Sequence, residues 1–184
     1  GDYLLFYGED VDRWEPYDNY TGKYHFHKHL YDDKNYYFLT IKNSGTPKRI
    51  SQYIPTIKGI PKFIDKFNAM QAHEVDLVNF IQSGEGWYGE EFDADISQTF
   101  SFNFPNLVDN STVDVKANVA ARAFSAPNFS FNYNNIQFMD VDLGAVVSGY
   151  AEDYAKTSTV TGEINAQSDN LDIEVTFNRN SSSH

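Results

Sequence analysis

The chain of 184 residues has no cysteine. A disulfide framework, a thiolate nucleophile and a zinc–cysteine site are therefore excluded within it, although the compartment is left open. Basic residues are also few, with 14 Lys and Arg against 26 Asp and Glu and a formal net charge of −12. Such a balance repels a nucleic-acid backbone unless a basic track intervenes. Lys58, Lys62 and Lys66 are scattered among apolar residues and Lys23 and Lys28 stand among histidines, so neither group makes one. No apolar run reaches the roughly 18 residues expected of a membrane span. The amino end lacks the charged-then-apolar pattern of a signal peptide, and Gly1 reads as a cloning remnant that follows removal of a leader.

What the chain does have is β patterning. Phe100, Phe102 and Phe104 alternate with Ser101 and Asn103, the period-two signature of a half-buried strand. Val113, Val115, Ala117, Val119 and Ala121 form the cleanest such series. Phe129, Phe131 and Tyr133 form another, and Asn134-Asn135 can take the positive φ angles of a tight hairpin turn before Ile136 and Phe138. Leu171, Ile173, Val175 and Phe177 follow a turn-like Ser168-Asp169-Asn170. These segments predict antiparallel sheets with one wet face each. Tyr3 to Tyr7 and Tyr36 to Ile41 are continuous apolar-aromatic runs that predict central strands. Pro61 to Ile81 fits either a helix opened by Pro61 or an extended strand.

The expected fold is mainly β: an antiparallel, jelly-roll-like β-sandwich of one or two β subdomains with at most one short helix. The expected divisions are an aromatic-rich subdomain over residues 2–92, a sandwich over 98–180 and a frayed tail over 181–184, with the join between Glu91 and Gln98.

Several residue sets bear on chemistry. On one strand, His25, His27 and His29 would leave the same face within reach of a zinc or copper ion, but no fourth ligand is evident and a polar strand face explains them equally. His73-Glu74 opens like the zinc-protease helix, but Leu77 stands where the second histidine belongs. Glu9, Asp10 and Asp12, the acids from Glu90 to Asp95, and Asp140 with Asp142 offer oxygen to a structural calcium without the spaced loop pattern of a calcium site. Glu74, Glu90 and Glu91 are the carboxylates open to glycoside hydrolysis, and neither a nucleophile elbow nor a phosphate loop is present. No cofactor is expected.

The segment from Asn79 to Phe92 is the most distinctive. Gly84, Gly86 and Gly89 open backbone conformations closed to other residues, and between them Trp87 and Tyr88 each carry a large apolar body with a polar tip. Two readings stand: a packed turn, or a carbohydrate-binding platform on which Trp87, Tyr88 and amino-terminal tyrosines stack on sugar rings.

Asp2 to Gly8, His29 to Thr40, His73-Glu74, and Ser83-Gly84-x-x-Trp87-Tyr88-Gly89-Glu90-x-Phe92 occur in order. In this the chain resembles the amino-terminal, non-catalytic region of PorU-type sortases, gingipain-family cysteine peptidases of the type IX secretion system. The resemblance runs over nearly the whole chain. Glu85 departs from it, standing where arginine is common. The resemblance implies a cell-surface, outer-membrane-associated protein exported through a removed signal peptide. It implies no catalytic residue here, the cysteine and histidine of the family lying in a later domain. His73, Glu74, Gly84, Trp87, Tyr88, Gly89 and Glu90 are then structural marks. The implied partners are that peptidase domain in the same chain, a PorV-like outer-membrane β-barrel with its attachment complex, and cargo sorting domains.

Overall fold

A computed structural model describes residues 5–17, 23–46, 49, 51–52, 54, 59, 63–82 and 86–180. The chain divides into two compact units, Gly1–Met70 and Gln71–His184. The division falls before the expected join at Glu91–Gln98, because Gln71, Glu91 and Phe92 are tied to the sandwich that follows them. The Gln71 side chain pairs with the backbone of Asn103, its Oε1 accepting from the amide at 3.2 Å. Gln98 donates to the Glu91 carbonyl at 2.6 Å, and the Phe92 ring stands edge-on to Phe129 at 5.5 Å.

In the first unit, β1 (Arg13–Pro16) and β2 (Tyr24–His27) form an antiparallel ribbon in which Trp14 faces Phe26, their ring centroids 5.2 Å apart. Aromatic cross-strand pairs of this kind are what stabilise an isolated ribbon. The predicted central strands are not formed. Leu5 to Tyr7 and Tyr36 to Ile41 lie outside any ladder, and Tyr3 and Leu4 fall outside the described residues. A continuous apolar run becomes a central strand only if both edges are paired and both faces covered. Here β1 and β2 pair with each other, and the two runs meet only at their ends. Phe6 tilts against Tyr37 at 5.6 Å, and the Tyr37 hydroxyl donates to the Glu9 carbonyl at 3.1 Å.

The second unit is a mainly antiparallel β structure without a helix among the described residues. Residues 63–82 are not helical, which settles the described part of the ambiguous Pro61–Ile81 segment; Pro61 lies outside it. Two two-residue strands, β3 (Val78–Asn79) and β4 (Trp87–Tyr88), pair antiparallel. The larger sheet is built from β5 (Ser97–Asn103), β7 (Asn128–Tyr133), β8 (Ile136–Asp142) and β10 (Asn170–Asn178), in the order β5-β10-β7-β8. A long ribbon pairs β6 (Thr112–Ala121) with β9 (Lys156–Asn165).

Alternation explains why these two layers meet face to face. Leu171, Ile173 and Val175 of β10, Phe129 and Phe131 of β7, and Met139 of β8 are buried, and Val115, Ala117, Val119 and Val160 of the ribbon pack onto the same core. A second cluster, of Tyr133, Ile164, Ala166 and Leu171, continues the interface to the other end. The outward residues make a polar ladder: Ser101 donates to Asp172 at 2.6 Å and Ser97 to Glu174 at 3.0 Å. Asn134 and Asn135 take φ of 51° and 62°, as the hairpin between β7 and β8 requires. Asp169 receives the amides of Asn106 and Leu107 at 3.1 and 3.0 Å, fastening the loop after β5 to the turn before β10.

Candidate functional site

The described part of the 73–90 segment forms a strap on the second unit. His73 Nε2 and Glu90 Oε1 are 2.7 Å apart, joining the two ends of the strap, and the imidazole stands edge-on to Phe100 at 5.1 Å. Between them the chain folds back at β3 and β4, where the Leu77 amide donates to the Tyr88 carbonyl at 2.9 Å. Gly86 enters β4 with φ of 69°. Gly89 fits closely against Val75: a Cβ there would stand 3.2 Å from Val75 Cγ2. Tyr88 lies on Phe80 at 5.3 Å, Phe80 on Tyr154 at 6.2 Å, and the Arg122 guanidinium sits 4.4 Å over the Tyr154 ring. An aromatic chain closed by a cation–π contact therefore anchors the strap to the loop before β9.

Of the residues that carry the resemblance in the sequence, His73, Glu90, Tyr88 and Gly89 are brought together in this scaffold. Glu74 is exposed on the strap, and Gly84 lies with Ser83 and Glu85 outside the described residues. Trp87 differs from its neighbours. It is 43% exposed and borders an open groove of about 380 Å³ together with Gly86, Tyr88, Asn118, Val119, Thr157, Ser158 and Thr159. The groove lies where β4 faces the β6–β9 ribbon. Asn118 and Thr159 are register partners, and the Thr159 hydroxyl donates to Asn118 Oδ1 at 2.8 Å.

Sequence reasoning missed Asn118, Thr157, Ser158 and Thr159. Alone, Asn118, Thr157 and Thr159 read as the wet face of two strands, and this polar face became informative only with an aromatic opposite. Among the described residues the lining carries neither a carboxylate nor an ammonium or guanidinium group. What it offers is hydrogen bonding and ring stacking.

The other candidate sets are dispersed. His25 and His27 share a face of β2 with centroids 6.3 Å apart, and His27 Nε2 lies 3.3 Å from Glu15. His29 has left the strand. Its amide donates to Asp12 at 2.8 Å, while its Nδ1 accepts the Asp32 amide at 3.0 Å, a turn that breaks the same-face alternation expected for the three. The acidic sets are similarly engaged. Asp10 accepts the Val11 amide at 2.7 Å, Asp93 accepts Arg179 at 2.9 Å and Asp142 accepts Asn128 at 3.0 Å. No group of three potential metal ligands converges among the described residues. Exposed Lys156 and Asp153 pair at 2.6 Å, which holds the Asp153 carboxyl below its usual value and the Lys156 ammonium above its own, through the hydrogen bond first and the opposite charge second.

Comparisons with models of protein families, with curated proteins and with solved structures find no match for this chain.

Proposed function

We propose that the chain is a non-catalytic accessory module of a cell-surface type IX secretion sortase, docking or regulating a downstream gingipain-like cysteine peptidase domain that cleaves the carboxy-terminal sorting domains of cargo. The ordered family motifs supply the identity in this reading, and one structural observation supports the docking role. The run from Tyr36 to Ile41 is exposed throughout, Phe38 at 95% and Ile41 at 87%. Aromatic side chains bury roughly 150–250 Å² each, so these residues offer on the order of 700 Å², close to the roughly 800 Å² that each partner gives to a standard interface. Exposed apolar area on that scale supports a docking role for this run.

His73, Tyr88, Gly89 and Glu90 fit the same reading, since their side chains and close approaches hold the strap. The peptidase domain is the first partner. A PorV-like outer-membrane barrel, its attachment complex and cargo sorting domains are the others, at the cell surface and without a membrane span of the module's own.

Amide exchange of this chain with and without its separately produced downstream domain tests the reading. Residues 36–41 are expected to become protected on mixing, and Phe38→Asp is expected to abolish both protection and association. Unchanged exchange at 36–41, with both proteins folded, contradicts it.

A further inference from the structure

We propose that the groove beside Trp87 binds a neutral saccharide. This goes beyond the docking role and does not depend on it, because the groove lies wholly in the second unit. Three observations converge.

The first is the platform. Trp87 borders the groove with 43% of its surface exposed while Tyr88, the next residue, is drawn onto Phe80. The strap is anchored by His73–Glu90, Gly89 and the Tyr88–Phe80–Tyr154 chain, so the indole is presented on a fixed support. A pyranose ring has an apolar C–H face that matches an exposed indole and a rim of hydroxyls that does not.

The second is the facing wall. Asn118, Thr157 and Thr159, on one face of the ribbon, supply an amide and two hydroxyls, groups that both donate and accept. The Asn118–Thr159 bond fixes the direction of one of these pairs. A ligand with adjacent hydroxyls, each also a donor and an acceptor, can satisfy such a wall whichever way the remaining rotors turn.

The third is charge. In a protein of formal net charge −12, the described residues that line the groove include no Asp, Glu, Lys or Arg. An anionic ligand would enter against the overall field with no cation to receive it, and a cationic one would find no carboxylate. Neutrality selects the uncharged member of the polyhydroxyl class. The volume of about 380 Å³ lies at the lower end of the roughly 300–1,000 Å³ usual for small-molecule sites, and its open form suits one or two rings of a longer chain.

The protein has only two tryptophans, Trp14 and Trp87, so Trp14→Phe leaves Trp87 as the sole indole reporter. The full chain carrying that substitution is titrated with maltohexaose, cellohexaose, xylohexaose and mannohexaose, following indole emission and the Nε1–H resonance, with an oligogalacturonate as the charged comparison. At least one neutral hexasaccharide is expected to perturb Trp87 saturably, with the galacturonate weaker by about tenfold or more. Trp87→Ala and, separately, Asn118→Ala, followed by calorimetry, are expected to lower the affinity by at least about tenfold while each variant keeps a cooperative melt above the titration temperature. The proposal is overturned if none of the four sugars perturbs Trp87, if the galacturonate binds as well as they do, or if binding survives Trp87→Ala.

Discussion

Gly162→Val tests whether the two layers meet as closely as described. Gly162 lies in β9 opposite Val115, over β8. A Cβ at this position would stand 3.1 Å from both Met139 Cβ and Phe138 Cδ2, and 3.2 Å from Met139 Sδ. Methyl contacts normally settle near 3.5–4.0 Å, so a single carbon already requires displacement, and valine adds two more. Met139 is buried in register with Phe131 and has little room to withdraw. Overpacking of this kind costs about 1–3 kcal/mol. Two terms oppose it: valine restricts the unfolded chain, which returns about 0.4–1 kcal/mol, and it favours the strand conformation by a similar amount. The net expectation is a loss of about 0.5–1 kcal/mol, or roughly 2–6 °C in the melting midpoint of a unit this size. Circular dichroism melts read it directly. Thr161→Val, one residue along on the outward face, is the control and should stay within about 0.5 kcal/mol of the parent. Met139→Ala and Gly162→Val together should cost less than the sum of their separate losses, a non-additivity expected only of side chains in contact. A Gly162→Val variant at least as stable as the parent would refute the close approach of β9 to β8.

Further outcomes follow from other contacts. Leu171→Ala empties a fully buried position in the second core cluster and should cost about 2–5 kcal/mol in chemical denaturation, whereas a loss under about 1 kcal/mol would mean that the site collapses or is not core. His73→Ala and Glu90→Ala, measured singly and together, should give a coupling of about 0.5–1 kcal/mol for a partly exposed pair, and strict additivity would mean that the strap is not closed there. Trp87→Ala should cost about 1–2 kcal/mol, less than the roughly 3–5 of a fully buried indole, since 43% of the residue already meets water. The folded Asp153 carboxyl lies below its usual value of 3.8, so its pairing with Lys156 contributes above about pH 4 and is lost as pH falls through the folded value. Melts of Asp153→Asn should therefore differ slightly from the parent at neutral pH and converge with it on acidification. Divergence in acid would contradict that sign.

How much of this was legible depended on whether a residue's environment was set by its own strand. The ribbon from Val113 to Ala121, the β10 series of Leu171, Ile173 and Val175, and the Asn134-Asn135 turn were all readable, because period-two alternation and positive-φ residues act locally. The run from Tyr36 to Ile41 was misread as a central strand. Its composition says that both faces need cover but does not say what provides it. The histidine series failed at His29 for a different reason: Asp12, distant in sequence, takes its amide and ends the alternation. The groove was half legible. Trp87 stood out in the sequence, but Asn118 and Thr159 become a site only when the strap brings β4 to the ribbon.

The central claim is that this chain serves a peptidase domain belonging to the same protein. Intact mass and peptide sequencing of the native mature protein from its source cell test that claim most directly. The account predicts a continuation of several hundred residues beyond His184 that contains a gingipain-like cysteine and histidine. A mature protein that ends near His184 would contradict it and leave the saccharide groove as the function to pursue.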